Sequence, residues 1–189
     1  MQNQKDESLM IAYLLVLLAV LSRYLVVGHV SLMNFTAVTG GLLYFGARRS
    51  WREMAGPLAI LMVSDYCLTT YAYHYAFHWQ GYLPIWIWYL AAMVLGQILL
   101  QAKTSWVRVA AGAILGPTAF WLYSNFAVWI GGGMYPPTRD GLWACYVAAI
   151  PFYRNDLAAT SIVLAAAFGI PVLVKLMHPA EPAAARVRR

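Results

Sequence analysis

Apolar residues along this chain fall into long runs broken by short polar or turn-rich stretches. The first, residues 9–27, is LMIAYLLVLLAVLSRYLVV, nineteen positions with a single charge, Arg23. A bilayer hydrocarbon core of about 30 Å takes about 20 apolar residues in a helix, so the run predicts a membrane span. It exceeds the apolar core of a signal peptide, and no small-x-small cleavage site follows it, since residues 28–31 are GHVS. A second segment, 35–47, is rich in Gly and Thr and too short to cross alone without tilt, bilayer thinning or a flanking coil buried in protein. Further runs cover 54–73, 83–100, 106–130 and 157–177. A kink is expected at Gly116-Pro117, where proline removes a backbone donor and crowds the preceding turn. Gly169 and Pro171 fall late in the last run.

Residues 131–156 separate the fifth and last runs. They open GGGMYPPTRDG, a turn-rich loop, and continue LWACYVAAIPFYRND. The apolar part, 142–153, suits a re-entrant or interfacial segment better than a crossing, with Pro151 ending it. The pattern predicts an all-α polytopic membrane helix bundle of about six transmembrane helices, with a short second span. A single domain over 9–177 is flanked by an N-terminus, 1–8, and a basic Pro- and Ala-rich tail, 178–189, expected to be disordered and cytoplasmic.

Composition agrees: 62% of the 189 residues are hydrophobic and 11% charged, with a mean hydropathy of +0.61, against about 25% charged in soluble domains. The length suits one bundle and not two domains. The net charge of +6 does not imply nucleic acid, because the basic residues cluster at run ends. Arg48, Arg49 and Arg52 mark one turn, Lys103 and Arg108 another, and Lys175, Arg186, Arg188 and Arg189 the tail. Residues 28–34 and 74–82 carry none, while in 131–156 Arg139 and Arg154 are balanced by Asp140 and Asp156. Six spans put every basic turn on one side, with both termini cytoplasmic, whereas five would split them. Trp51, Trp79, Trp86, Trp88, Trp106, Trp129 and Trp143 fall near span ends or in loops, as an aromatic belt requires, with stacking on a ligand the alternative. Cys67 and Cys145 sit in apolar surroundings and are expected as buried thiols.

Few residues offer chemistry. Asp65 sits mid-span, where a charge is costly and marks a site by default. It lies on the order of 6 Å deeper than Arg23 at 1.5 Å rise per residue. Three readings stand: a structural Arg23–Asp65 pair, a ligand or ion contact, or a lone protonated carboxyl. Arg23 itself either snorkels to the headgroups or faces the bundle interior. His74 and His78 are spaced to share a helix face, but no Cys or acidic residue nearby completes a metal set. Asn125, one turn from Trp129, either glues helices or binds something. Tyr135, Arg139, Tyr146, Arg154, Asn155 and Asp156 crowd the 131–156 loop, which fits a lid over a pocket or an ordinary loop in which Asn155 or Asp156 caps the last helix. No nucleophile elbow, zinc-protease, Walker or dinucleotide motif occurs. No enzyme, cofactor or metal is therefore expected, and any ATP-driven role needs a separate subunit.

The segments MNFTAV at 33–38, LMVSD at 61–65, NFAVW at 125–129 and YPPT at 135–138 resemble a bacterial family of small uncharacterised membrane proteins. So do GL at 141–142, CY at 145–146 and PFYRN at 151–155, and the resemblance spans about residues 10–170. More distantly, that family looks like the substrate-binding S-components of energy-coupling-factor transporters. Those are six-helix proteins of the cytoplasmic membrane that bind vitamins or metal ions under extracellular loops and work with a coupling membrane subunit and an ATPase module. Their first helix often carries an Ala-x-x-x-Ala packing motif, where this chain has Ala12 and Ala19, seven apart. The resemblance implies a ligand pocket near Asn34, Asp65, Asn125, Trp129, Tyr135, Arg139, Tyr146 and Asn155. It implies capture of a small solute from the extracytoplasmic side, with the glycines at 131–133 as hinge. The alternative is a small structural subunit of a larger membrane complex, its protein contacts made by Gly40-Gly41, Ala91-Ala92 and the alanines at 165–167. The expected partners are the bilayer and either a coupling subunit with its ATPase module or other membrane subunits, and no nucleic acid. A third reading, an intramembrane enzyme using Asp65 or the two histidines, has the least support.

Overall fold

The structure, a computed structural model, describes residues 2–101 and 105–177. Lys103 and the 178–189 tail, with the disorder expected of it, lie outside the described residues.

Among the described residues there are seven α-helices and no strand: α1 Gln2–Leu25, α2 Val38–Arg48, α3 Ala55–Cys67, α4 Leu83–Leu100, α5 Trp106–Ile130, α6 Arg139–Ala148 and α7 Ile150–Met177. A π-turn, Leu68–Ala72, prolongs α3, and a 3-10 turn, Trp79–Tyr82, leads into α4. Four segments are long and apolar enough to cross a membrane: Ser8–Leu25, Trp79–Leu100, Trp106–Ile130 and Ile150–Val174. The chain is an all-helical bundle of membrane-protein character.

The shortest central element organises the rest. Nine of the eleven residues of α2 are buried, because α1, α4, α5 and α7 all pack on it. Its glycines make this possible. A Cβ on Gly46 would lie 1.8 Å from the Met93 carbonyl oxygen, and one on Gly96 of α4 would lie 2.1 Å from that of Leu43. The two helices therefore cross backbone to backbone, the close approach that small residues permit in membranes. Gly40 makes room for the Val163 side chain of α7, and Gly116 of α5 for that of Leu43. At 1.5 Å per residue α2 is about 16 Å long. Its neighbours shield it from lipid, so its length need not match the bilayer. Gly40 and Gly41 are consequently occupied inside the bundle. Of the other patches considered for outside contacts, Ala91, Ala165 and Ala166 stay exposed while Ala92 and Ala167 are buried.

Several boundaries differ from the sequence reading. The first helix starts at Gln2, since Gln, Lys and Glu before the apolar run are good helix formers. The apolar stretch 142–153 is not one re-entrant segment. Thr138 caps α6, its hydroxyl accepting from the Gly141 amide at 3.1 Å, and α6 ends at Ala148, two residues before α7 begins. Pro151 therefore opens α7 instead of closing the stretch, because the first turn of a helix has no use for a proline's missing N–H. Asn155 and Asp156 lie inside α7 and are not caps. Helix α5 runs unbroken through the buried Gly116 and Pro117.

Candidate functional site

The last turns of α1, the first turn of α2, the end of α3 and the start of α4 meet at one end of the bundle around Asp65. Its side chain is 1% exposed and pairs with Arg23 of α1, whose side chain is 17% exposed. Oδ1 accepts from the Arg23 guanidinium and from the Tyr89 hydroxyl at 3.3 Å, and Oδ2 from the Trp86 indole at 2.8 Å. Arg23 also donates to the Ser64 hydroxyl at 3.1 Å. Trp86 and Tyr89 reach one carboxylate because residues three apart share a helix face. Thr69, one turn beyond Asp65, donates to the Asp65 carbonyl at 2.7 Å and bonds the Tyr82 hydroxyl. Tyr82 in turn stacks on Phe77 and Trp86, with centroids 4.9 and 6.1 Å away, and those two rings lie 6.5 Å from one another.

Beside this cluster lies a cavity of ≈330 Å³. Arg23, Asp65, Asn34, Thr39, Trp88, Phe120 and Asp156 line it, with Tyr82, Ile85, Tyr89 and the loop before α2. A smaller cavity of ≈80 Å³ adjoins it between α5 and α7 and shares Asn34, Phe120 and Asp156. Asp156 is 3% exposed. Its Oδ2 accepts from the Thr39 hydroxyl at 3.2 Å and its Oδ1 from the Thr160 hydroxyl at 3.1 Å. Trp88 lines the larger cavity and Trp121 the smaller, and their indole N–H groups are buried with no hydrogen-bond partner among the described residues. Buried polar groups without partners are rare and call for an explanation. A roomier cavity of ≈640 Å³ at the opposite end lies around Arg48 and Trp106. The Arg48 guanidinium sits 4.9 Å from the Phe168 ring centre, and no buried charged side chain lines that space.

The sequence-derived candidates divide. Asn34, in the left-handed region at φ 64°, lines both cavities, Asp65 the larger and Asn125 the smaller. Asn125 donates to the Trp121 carbonyl one turn back at 2.8 Å, a bond within its own helix. The other five line neither cavity. Trp129 donates to the Pro136 carbonyl at 3.0 Å and Tyr146 to the Leu122 carbonyl at 2.8 Å. Tyr135 is half-buried in the loop, and Arg139 is exposed at the start of α6. Asn155 donates to the carbonyls of Ser31 and Met33 at 2.8 and 2.9 Å, fastening the loop before α2 to α7. His74 and His78 lie in non-helical chain, His74 at φ 57°, so they do not share a helix face. Both cysteines are free thiols, Cys145 buried and Cys67 half-buried.

Thr39 and Phe120 are not singled out by the sequence, and Trp88 and Asp156 are read there as a belt or stacking residue and as a lid or cap residue, not as the lining of the pocket around Asp65. Asp156 and Thr160 carry the one available signal, an acid and a hydroxyl four apart, which face one another once α7 starts early enough to contain both.

No curated protein and no solved structure matches the chain. A family model does match, over residues 3–182, and its description is a family of unknown function (DUF6580). With nearly all of its length covered, the chain belongs to that family.

Proposed function

We propose that this protein is a solute-binding membrane subunit of a transporter, similar in kind to an S-component. It takes a small solute from the extracytoplasmic side into the ≈330 Å³ cavity. The observation that carries the reading is the lining of that cavity: two buried carboxyls and an arginine, set among aromatic walls. Membrane interiors tolerate ionisable groups at a cost, and such groups mark ligand or ion paths by default. Ligand sites combine apolar walls with a few fixed polar groups. Here Trp88, Phe120 and Ile85 supply the walls.

In this proposal the chain crosses a bacterial cytoplasmic membrane six times, with α2 and α3 completing the four longer spans. Both termini are then cytoplasmic, and the basic turn at 48–52 and Arg108 at the start of α5 face inward. The cavity lies at the charge-poor end. The Arg23–Asp65 pair, already bonded to Ser64, Trp86 and Tyr89, is a preorganised polar wall that a solute meets without rearranging it. Energy comes from a partner ATPase module, because the chain has no Walker loop.

The test is native mass spectrometry of protein extracted gently from its own membrane. A retained small molecule is expected in the wild type and lost in Ile85→Trp, which fills the cavity. Unrelated membrane subunits at fixed stoichiometry, with no small molecule, would overturn the proposal in favour of a structural role.

A further inference from the structure

We infer that the solute is an organic cation, an ammonium group on an apolar or aromatic body, held by Asp156; this rests on the solute-binding reading above. The argument is a charge balance. Three charged side chains line the larger cavity: Arg23, Asp65 and Asp156. Arg23 is committed to Asp65, with the guanidinium on the carboxylate. That leaves Asp156, and no Lys, Arg or His among the described residues lies within ion-pair distance of it. Thr39 and Thr160 each give one hydroxyl hydrogen to its oxygens. They satisfy lone pairs and bring no positive charge. The site is thus one cationic side chain against two acidic ones, and a ligand of charge +1 makes it neutral.

Position and shape point the same way. Asp156 lies six residues into α7, about 9 Å from its first residue at 1.5 Å per residue, beyond the first turn where the helix dipole acts. A carboxylate buried in a membrane bundle is stable when a partner of opposite charge is supplied. Asp156 stands where the two cavities meet, and Phe120 lines both. The ≈80 Å³ space suits a small ammonium head and the ≈330 Å³ space its body. The Trp88 and Phe120 rings, 5.3 Å apart, offer the π-faces that attract organic cations. A calcium or magnesium ion fits less well, because it asks for six or more oxygens and both threonine hydroxyls already point their hydrogens at the carboxyl; a softer metal lacks its ligands, because no three His, Cys, Asp or Glu cluster among the described residues.

The test uses the full-length protein in detergent and three probes of matched shape: phenethylammonium, 2-phenylethanol and 3-phenylpropanoate. Ligand-induced thermal stabilisation gives the apparent Kd of each. Phenethylammonium is expected to bind at least about tenfold more tightly than the alcohol, and the anion not to bind. Asp156→Asn should weaken the ammonium by at least about tenfold and so remove its advantage over the alcohol. Equal binding of ammonium and alcohol, or an Asp156→Asn protein that keeps its ammonium affinity, overturns the inference. So does a failure of the ammonium to bind at all. The wild-type comparison needs no variant, so it decides the matter even if Asp156→Asn does not fold. If all three probes bind alike and Ile85→Trp abolishes all three, the cation inference falls while the solute-binding reading stands.

Discussion

Removing Arg23 should destabilise this protein more than removing the charge of Asp65, although the two form one ion pair. Arg23→Met leaves a carboxylate at 1% exposure with only the Trp86 indole and the Tyr89 hydroxyl as donors. Losing one member of a buried pair costs about 3–5 kcal/mol, mostly as the penalty of the charge left behind. Asp65→Asn leaves the other partner, and that partner has an escape. Arg23 is 17% exposed and lies two residues from the end of α1, so its long side chain can turn toward the interface. The loss there reduces to a charge-assisted hydrogen bond and a strained indole contact, about 1.5–3 kcal/mol. The double variant removes both charges, so its cost should fall short of the sum by about 2 kcal/mol. Equilibrium unfolding in mixed micelles against the mole fraction of SDS, followed by tryptophan fluorescence, measures all three. Equal single costs that add within about 0.5 kcal/mol would refute both the asymmetry and the pairing energy behind it.

Gly96→Ala should cost at least about 3 kcal/mol in the same assay, because its Cβ would lie 2.1 Å from the Leu43 carbonyl oxygen. Gly81→Ala, with nothing within 4 Å, should stay within about 0.5 kcal/mol, and a similar loss at both sites would sink the close-crossing argument. Asn155→Ala removes both bonds to the loop before α2. Hydrogen exchange should therefore quicken across residues 28–36 while α4 stays protected, and unchanged exchange there would show that the tether is not what holds the loop. Thr138→Ala should cost about 1 kcal/mol through the lost cap of α6, read by the same unfolding titration, and a neutral result would remove the cap's role.

How legible the molecule was depended on the range of the interaction. Long apolar runs reported their own helices, since a span is a property of contiguous residues. The depth of Arg23 and Asp65 along two spans was also countable, so their contact was among the readings available before the structure. Proline was ambiguous in principle. Pro151 fits the end of one element and the first turn of the next equally well, and only the packing of α7 decides between them. That one choice hid Asp156, which looked like a loop charge balanced by its neighbours and is instead buried against Thr39, 117 residues away in sequence. The aromatic belt failed at Trp88 for a similar reason: a tryptophan near a span end looks the same in sequence whether it faces lipid or, as here, the interior at 5% exposure. For 131–156 the sequence left a lid and an ordinary loop equally open, because both rest on the same clustering of residues; in the fold Trp129 and Tyr146 are bonded to carbonyls close by.

The glycine crossing of α2 and α4 also bears on how the chain enters its membrane. Eleven residues are too few to hold a place in lipid by their own hydrophobicity. The largest part of the surface that shields α2, that of α4, is not in place until Gly96 is made, roughly 50 residues after Gly46, and α5 and α7 add the rest later still. At synthesis rates of about 5–20 residues per second the interval is about 3–10 s. Over that time α2 depends on α1, or on the insertion machinery, for cover. Pulse-labelled chains carrying Leu42→Cys as their one thiol, with Cys67 and Cys145 replaced by Ala, should therefore react with aqueous thiol reagents when truncated before residue 83, react less once α4 is made, and be closed off when α7 is complete.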